Sequence, residues 1–346
     1  MRSSTIADRV QAFVKPLAVA LGDPSGIGPE IVAKAWSARE MYTLAPFFAV
    51  GDVESLAAVW SGPVMRIASP DEATEVFGHA LPVLHVEDAG NIVPGMPSAE
   101  GARCALASLE VAAGITRSGA ASALVTAPVS KVQLYSIGFT HPGQTEFIAE
   151  RCGVASDNAV MMLAGPSLRV VPVTTHLALA EVSQALSIDL ILAKARATVR
   201  GLIRDFGITE PRLAFAGCNP HAGEGGTIGR EEIDIIAPAV EQLREEGVKV
   251  TGPVAADALF HPRARAQYDA AICMYHDQAL IPLKTLHFDE GVNVTLGLPI
   301  VRTAPDHGTA FGIAGQDCAN PGAMIAALRM AAMAAAKRAE GCARSA

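Results

Sequence analysis

The stretch PLAVALGDPSGIGPE, residues 16–30, contains the structural unit from which the predicted fold is built. It begins with an apolar run that is typical of a strand buried on both faces of a parallel sheet. The glycines that follow allow a tight turn, and Pro29 suits the first turn of a helix. The order strand, turn, helix therefore predicts an α/β protein.

The same alternation continues along the chain. Further strands are predicted at 45–52, 65–69, 121–128, 168–176, 212–218 and 269–275, and a strand or turn at 249–254. Helices are predicted at 98–119, 187–206, 230–246 and from about 321. Alternation of this kind indicates doubly wound, mostly parallel sheets with helices on both faces. A chain of 346 residues is expected to form two such α/β/α domains. Because no linker separates them, we expect interleaved domains, residues 1–140 plus 300–346 and residues 141–299.

Composition excludes several classes of partner. The formal net charge of −8 argues against a nucleic-acid partner, which normally requires a basic face. No run of 18 or more apolar residues is present, so no membrane span is expected. The six cysteines lack CxxC spacing and are typical of free thiols in a reducing compartment, which predicts a cytoplasmic protein.

Three histidines stand where apolar, strand-like runs end. They are His176 after LRVVPVTT, His221 after RLAFAGCNP and His276 after AAICMY. Open α/β sheets bind ligands beyond the carboxyl ends of their strands, and three imidazoles can hold a divalent metal with coordination positions left open. A single histidine at a strand end is more often a hydrogen-bonded structural residue. Position alone therefore leaves both interpretations open.

A charge-poor segment near the C-terminus adds Lys284, Asn293 and Arg302. Two cations and an amide suit a phosphate or a carboxylate, although isolated lysines and arginines are usually solvated surface residues. The GDPSGIGPE segment, residues 22–30, has either an anion-binding or a plain turn interpretation. Neither a GxGxxG fingerprint nor a P-loop occurs in the chain.

Eight segments in order carry a resemblance. GDPSGIGPE, TAPVSK, GQTEF, NPHAGEGG, YHDQ, IPLK, NVTLGLPIVRT and DHGTAFGIAG closely resemble the 4-hydroxythreonine-4-phosphate dehydrogenase family, the NAD(P)- and metal-dependent enzymes of pyridoxal-phosphate biosynthesis. The resemblance runs from about residue 16 to 330. HGTAFGIAG…ANP is also similar to the nucleotide-binding segment of isocitrate and isopropylmalate dehydrogenases. This second similarity implies the two-domain fold of those dehydrogenases, with the active site in the interdomain cleft.

The resemblance also implies roles for individual residues. His176, His221 and His276 become ligands of one divalent metal per subunit (zinc, cobalt or magnesium), contributed by both subunits of a homodimer. The substrate-binding residues implied are Gln144, Thr145, Lys284, Asn293 and Arg302. Those implied for the cofactor, NAD or NADP, are His307, Gly308 and Asn320. Asp257 or Lys131 is the candidate for proton transfer.

This chain departs from the family pattern at two positions. The family commonly has histidine where this chain has Gln144, which can donate and accept hydrogen bonds but cannot carry a charge or transfer a proton. Ala258 stands where the family often has a threonine after the aspartate that corresponds to Asp257. An acid/base role for position 144 is therefore in doubt in this chain.

The expected reaction is oxidation of 4-hydroxythreonine 4-phosphate with decarboxylation to 3-amino-2-oxopropyl phosphate. A sister dehydrogenase acting on D-threonate or D-erythronate 4-phosphate, or on a cyclic dihydrodiol dicarboxylate, is the nearest alternative, and Gln144 keeps it open. A metal-dependent hydrolase could use the same three histidines but leaves HGTAFGIAG unexplained. A binding module without turnover is the remaining alternative.

Overall fold

The computed structural model describes residues 15–345, which divide into two compact units. The first takes in the chain up to Ser156 and again from Leu298, and the second is Asp157–Gly297. The first unit is thus built from two separate parts of the chain. We expected residues 141–156 to belong to the second domain, whereas here they belong to the first unit. The boundaries of the expected domains stay a prediction.

The strands of the two units are short. They are β1 (Leu17–Ala20), β2 (Phe47–Gly51), β3 (Val64–Arg66), β4 (Leu81–His85), β5 (Leu124–Thr126), β6 (Val160–Gly165), β7 (Leu168–Pro172), β8 (Arg212–Ala216), β9 (Lys249–Val254), β10 (Ala270–Cys273), β11 (Val292–Leu296) and β12 (Arg302–Pro305).

The α-helices alternate with these strands. They are α1 (Gly28–Ser37), α2 (Val53–Ala57), α3 (Ala73–Val76), α4 (Ala99–Arg117), α5 (Lys131–Ser136), α6 (Gln144–Arg151), α7 (Val182–Ala185), α8 (Ile188–Phe206), α9 (Ala237–Glu245), α10 (Pro262–Arg265), α11 (His276–His287) and α12 (Gly322–Ser345). None of these helices is long and apolar enough to cross a membrane.

In the first unit the strand order is β3-β4-β2-β1-β5-β12, and all the pairs between these strands are parallel. Every residue of β1, β2 and β5 is buried, as expected for central strands of a parallel sheet with both faces covered. Helices α4 and α12 both pack against β1. The α/β class expected from residues 16–30 is confirmed.

In the second unit the strand order is β11-β6-β7-β10-β8-β9. Strand β6 runs antiparallel to β11 and β7, while β7, β10, β8 and β9 are parallel. The mostly parallel sheet is therefore confirmed, with an antiparallel strand that the alternation pattern did not indicate. Since β6 and β7 are separated by only two residues, they can form a hairpin but not a crossover.

Strands β4, β6, β11 and β12 were not predicted, and two predicted elements differ in their course. The strand predicted at 168–176 ends at Pro172, because the chain then turns, with His176 at φ 53°. The helix predicted at 230–246 begins with a π-helical turn, Glu232–Ile236, and only then becomes α9. Both differences lie beside candidate functional residues, where irregular backbone is common.

Candidate active site

The three candidate metal-binding histidines follow three neighbouring strands of the second unit. Strand β10 pairs in parallel with β7 on one side and with β8 on the other, so the carboxyl ends of all three lie at one edge. His176 follows β7, His221 follows β8 and His276 follows β10. The fold thus gives each imidazole the strand-end location at which α/β proteins bind ligands.

His176 and His276 lie side by side. Their ring centroids are 5.8 Å apart, and the rings are inclined by 41°. With metal–nitrogen distances of about 2.0–2.1 Å, two imidazoles on one ion have centroids roughly 5–6 Å apart. The side chain of Thr174 joins the two loops, since its Oγ1 donates to the carbonyl of Met274 at 2.8 Å. Both histidines line a cavity of about 350 Å³ together with Tyr275 and Asp277.

Asp277 orients the ring of His276. Nδ1 of His276 lies 2.7 Å from Oδ1 of Asp277. Because an ionised carboxylate can only accept a hydrogen bond, Nδ1 is the donor and Nε2 is the nitrogen available for a metal. Hydrogen bonds of this kind fix the tautomer of metal-binding histidines and raise their basicity.

His221 lies in a turn of left-handed backbone. Five consecutive residues, 221–225, have φ between 45° and 77°, and three of them are not glycine. Left-handed backbone costs a residue with a Cβ roughly 1–2 kcal/mol. Within residues 15–345, four of the seven non-glycine residues with positive φ lie in the loops that carry His176 and His221. Backbone strain of this kind clusters at functional sites.

Hydrogen bonds to the buried Glu232 and to Glu231 hold this turn in place. The backbone N–H of Asn219 donates to Oε1 of Glu232 at 2.8 Å, and its side-chain amide donates to Glu231 and Glu232 at 2.6 and 3.0 Å. Glu232 is only 4% exposed. At Gly223 an added Cβ would lie 2.6 Å from Glu232 Oε2, so glycine is required there. The turn is therefore strained but firmly anchored.

Gln278 joins two of the three strand ends. Its Oε1 accepts from the backbone N–H of Met274 at 2.7 Å, and its Nε2 donates to the carbonyl of Gly217 at 2.7 Å. The side chain is 8% exposed. Because both bonds are buried, Gln278 fixes the spacing between the loop of His221 and the loop of His276.

The three imidazoles fit a divalent metal in their chemistry but do not meet within one chain. Among residues 15–345, the one group of three or more His, Cys, Asp or Glu side chains with all ligand atoms within 4.8 Å is Asp52, His85 and Asp88. There the two oxygens of Asp52 already accept from the N–H groups of Glu54 and Ala89. That cluster therefore caps a helix and holds a loop.

Arg302 centres a buried polar cluster in the first unit. It is 3% exposed, and its Nη2 donates to Oγ1 of Thr126 at 2.8 Å. Nη1 donates to Oγ1 of Thr145 at 3.3 Å, and Nη2 lies 3.5 Å from Oε1 of Gln144. The parallel pairing of β12 with β5 sets Arg302 beside Leu124. Three of the residues implied for substrate binding, Gln144, Thr145 and Arg302, are therefore in contact.

The electrostatics of this cluster favour an anion. Burial lowers the pKa of Arg302 to about 10, and the charge of nearby Glu146 opposes that shift. With that pKa, the guanidinium stays charged at neutral pH. Gln144 and Thr145 are also the first residues of α6, whose N-terminus is an additional source of positive potential.

Asn293 and Lys284 belong to the second unit. Asn293 lies on β11, and its Oδ1 is buried with no hydrogen-bond partner in the part of the chain that the structure describes. A buried amide oxygen of this kind is expected to bind a donor on a ligand. Lys284 lies on α11, the helix that begins with His276.

The two candidates for proton transfer have different surroundings. Lys131 begins α5, and a Cβ built on Gly143 would lie 3.6 Å from Lys131 Nζ and 3.2 Å from Glu146 Oε2. Lys131 is therefore beside the start of α6 and the substrate-binding candidates there. Asp257 is exposed in a 3₁₀ turn after β9, and this turn packs against the left-handed turn of His221.

The residues implied for the cofactor form an exposed segment. His307 and Gly308 are exposed, and Asn320 Oδ1 accepts from the N–H of Gly322 at the start of α12. A Cβ built on Gly308 or Gly312 would meet no atom within 4 Å. The protein itself leaves space there, so the backbone can be approached by a nucleotide. The segment thus fits a cofactor.

Sequence reasoning missed the residues that position others. Gln278 stands in the YHDQ segment and Thr126 in TAPVSK, but their partners at Gly217 and Arg302 are far away in sequence. A polar residue directly after an apolar run was the available signal for Thr126. Glu232 gave no such signal, because a charged residue at the start of a helix is usually solvated.

Known proteins resemble this chain over most of its length. Residues 43–331 match the family described as pyridoxal phosphate biosynthetic protein PdxA. The 4-hydroxythreonine-4-phosphate dehydrogenase of Zymomonas mobilis is 59% identical over 325 residues, which cover 94% of this chain and 97% of the relative.

Two solved structures have the same fold over nearly the whole chain. The enzyme of that name from Klebsiella pneumoniae is 36% identical with a TM-score of 0.84, over 93% of this chain and 98% of that chain. A terephthalate 1,2-cis-dihydrodiol dehydrogenase from Burkholderia xenovorans is 31% identical with a TM-score of 0.64, over 92% and 98%. By the extent of these matches, the chain belongs to the PdxA family of pyridoxal phosphate biosynthetic proteins.

Proposed function

We propose that this protein is a metal-dependent, NAD- or NADP-linked 4-hydroxythreonine-4-phosphate dehydrogenase of pyridoxal-phosphate biosynthesis. The observation that supports it most is the set of three histidines at neighbouring strand ends, in a chain 59% identical to a relative with that name. The buried Arg302 cluster supports an anionic substrate independently.

The proposed metal site comprises His176, His221 and His276. Imidazole donors suit zinc and cobalt, and magnesium accepts them less readily. A divalent metal bound there would supply Lewis acidity toward the substrate's hydroxyl oxygen, and a bound nicotinamide would accept the hydride.

The proposed reaction balances in two stages. The secondary alcohol of the substrate loses a hydride to the nicotinamide and a proton to a base, which leaves a β-keto acid. The bond between the α-carbon and the carboxylate then breaks, CO₂ leaves, and the α-carbon takes up a proton. The product is 3-amino-2-oxopropyl phosphate, and Lys131 and Asp257 are the proposed proton carriers.

Arg302, with Gln144 and Thr145, is proposed to bind an anionic group of the substrate. The Thr126 and Thr145 hydroxyls orient the guanidinium, which suits planar, bidentate recognition of phosphate or carboxylate. Lys284 and Asn293 complete the proposed substrate-binding set. The open backbone around Gly308, together with His307 and Asn320, is the proposed site of the cofactor.

A sister dehydrogenase remains the second candidate because of Gln144. Both groups of this amide have partners, Arg302 for the oxygen and the carbonyl of Ala127 for the nitrogen. The similar structure from Burkholderia xenovorans is named for a dihydrodiol, so this fold serves more than one hydroxylated substrate. The purified protein should reduce nicotinamide with 4-hydroxythreonine 4-phosphate at a kcat/KM at least tenfold above that for D-threonate 4-phosphate. The reverse preference would move it to the sister function.

The protein is further proposed to act as a homodimer with shared metal sites in the cytoplasm, where its free cysteines would stay reduced. Sharing accounts for three histidines that do not converge within one chain. Mixing two inactive variants, chosen from His176→Ala, His221→Ala and His276→Ala, should restore activity for those pairs whose histidines come from different subunits. If no pair restores activity after subunit exchange, sharing is wrong.

A further inference from the structure

The segment 307–320, which carries the proposed cofactor-binding residues, is fastened to helix α1. Glu30 Oε1 accepts from the backbone N–H of Ala319 at 2.9 Å and from Lys34 Nζ at 2.8 Å. Lys34 Nζ also donates to the carbonyls of Asp317 and Ala319 at 2.9 and 3.1 Å. An ion pair of 3.0 Å to Asp317 Oδ1 completes the contact.

Because Glu30 is buried, removing either partner of this contact should cost more than at a surface ion pair. Glu30 is 2% exposed, and a buried carboxylate is stable only when it is paired and hydrogen-bonded. The side chain of Lys34 is 25% exposed. Burial alone would lower the pKa of Lys34, but Glu30 and Asp317 together raise it above the ordinary value. Lys34 therefore stays charged at neutral pH and paired with both carboxylates.

The turn before α1 fastens the other end of the same segment. The backbone N–H of Ile27 donates to the carbonyl of Thr309 at 3.0 Å, and a Cβ on Gly26 would lie 3.1 Å from that oxygen. The GDPSGIGPE segment thus contacts the chain's own residues 309–319 at both ends.

Segment 307–320 depends on such contacts because it contains little regular structure. Its only element is the 3₁₀ turn Phe311–Ile313, and Ala310, Gly315 and Asp317 have positive φ. A backbone with few hydrogen bonds of its own takes its shape from external anchors. Loss of an anchor should therefore loosen this segment and leave the sheet intact.

We propose that Glu30 and Lys34 are positioning residues, which hold segment 307–320 in the conformation that binds the nicotinamide nucleotide. This inference rests on the proposed function, and it assigns a role to Glu30, the last residue of the GDPSGIGPE segment, and to Lys34, one helical turn later. The pair acts through the segment and need not touch the nucleotide.

The test compares Lys34→Met and Glu30→Gln with the wild-type protein. Each keeps the shape of its side chain and removes one charge. Lys249→Met is the matched control, since Lys249 forms an exposed ion pair with Glu210. Two quantities are measured in the folded proteins, the rate of amide hydrogen exchange of residues 307–320 and the Kd for NADH and NADPH by fluorescence titration.

Both variants should exchange residues 307–320 faster and bind the nucleotide at least about tenfold more weakly, which equals about 1.4 kcal/mol. Lys34→Arg should restore much of the affinity, and the Kd for the phosphorylated substrate should stay unchanged. If both variants kept the wild-type exchange rates or the wild-type nucleotide affinity, the inference would be wrong, while the proposed function would be unaffected. A wild-type protein that binds neither nucleotide would instead contradict the proposed function.

Discussion

The histidine loops and the Arg302 cluster differ in burial and in backbone conformation. His176 and His221 lie on exposed loops with left-handed backbone, while Arg302 is buried at the start of a regular strand. The histidine loops are held by distant carboxylate and amide groups such as Glu232 and Gln278. Arg302 is held by hydroxyl groups close to its own guanidinium.

The difference fits the two kinds of ligand that we propose for these regions, a metal for the histidine loops and an anion for the Arg302 cluster. A metal must be approached by several imidazoles from different directions, which regular strands cannot supply, so the loops accept strain. A phosphate or carboxylate is recognised by one planar cation, which burial keeps dry and rigid. Each of the following substitutions tests one side of this comparison.

Removal of a histidine should have the largest effect. His221→Ala takes away one of three proposed metal ligands and should lower kcat/KM about a thousandfold, because a catalytic metal contributes several kcal/mol. Metal content after dialysis should fall as well. His79→Ala, an exposed histidine elsewhere, is the control and should change neither quantity. Full metal content in His221→Ala would remove His221 from the site.

Loss of a distant anchor should come next. Gln278→Leu leaves the N–H of Met274 and the carbonyl of Gly217 buried without partners, at a cost of about 2–4 kcal/mol in the free energy of unfolding. Urea denaturation measures that cost. Gln242→Leu, on the exposed face of α9, should change stability by less than about 0.5 kcal/mol. If Gln278→Leu and Gln242→Leu had the same free energy of unfolding, Gln278 would not be an anchor.

The Arg302 cluster should respond to geometry as well as charge. Arg302→Lys keeps the charge but cannot keep both hydroxyl contacts, so KM for the phosphorylated substrate should rise about tenfold. Metal content should not change. Arg103→Lys, at an exposed ion pair with Glu100, is the matched control. An unchanged KM would exclude Arg302 from substrate binding.

Strain in the histidine loop should give the smallest effect. Ala222 has φ 50°, so Ala222→Gly should stabilise the protein by about 1 kcal/mol. Ala266 has φ −69°, and Ala266→Gly should destabilise it by about 0.5–1 kcal/mol. Thermal or urea unfolding of the two variants checks the sign. If both Ala222→Gly and Ala266→Gly destabilised the protein, the turn that carries His221 would not be strained.

Much of the fold followed from local patterns in the sequence. The apolar runs before His176, His221 and His276 predicted strands, and β7, β8 and β10 lie within those runs. Neither strand β6 nor its antiparallel direction was predicted, because a hairpin between β6 and β7 depends on two residues, Pro166 and Ser167, in an apolar context.

The candidate site was predictable in part for a similar reason. Apolar runs ending in histidine locate potential ligands, and the family resemblance adds Gln144, Thr145 and Arg302, which do lie together. Glu30, Thr126 and Gln278 act through partners between 61 and 289 residues away in sequence. Only the folded chain shows such pairs, since no local pattern encodes the distance between them.

The most direct test is reduction of NAD or NADP by the purified protein with 4-hydroxythreonine 4-phosphate, followed by absorbance with and without a chelator. We expect turnover that the chelator abolishes and added zinc or cobalt restores, with CO₂ released in equal amount. Turnover that a strong chelator leaves unchanged would contradict the three-histidine metal site. No reduction with either nucleotide, with metal present, would contradict the dehydrogenase itself.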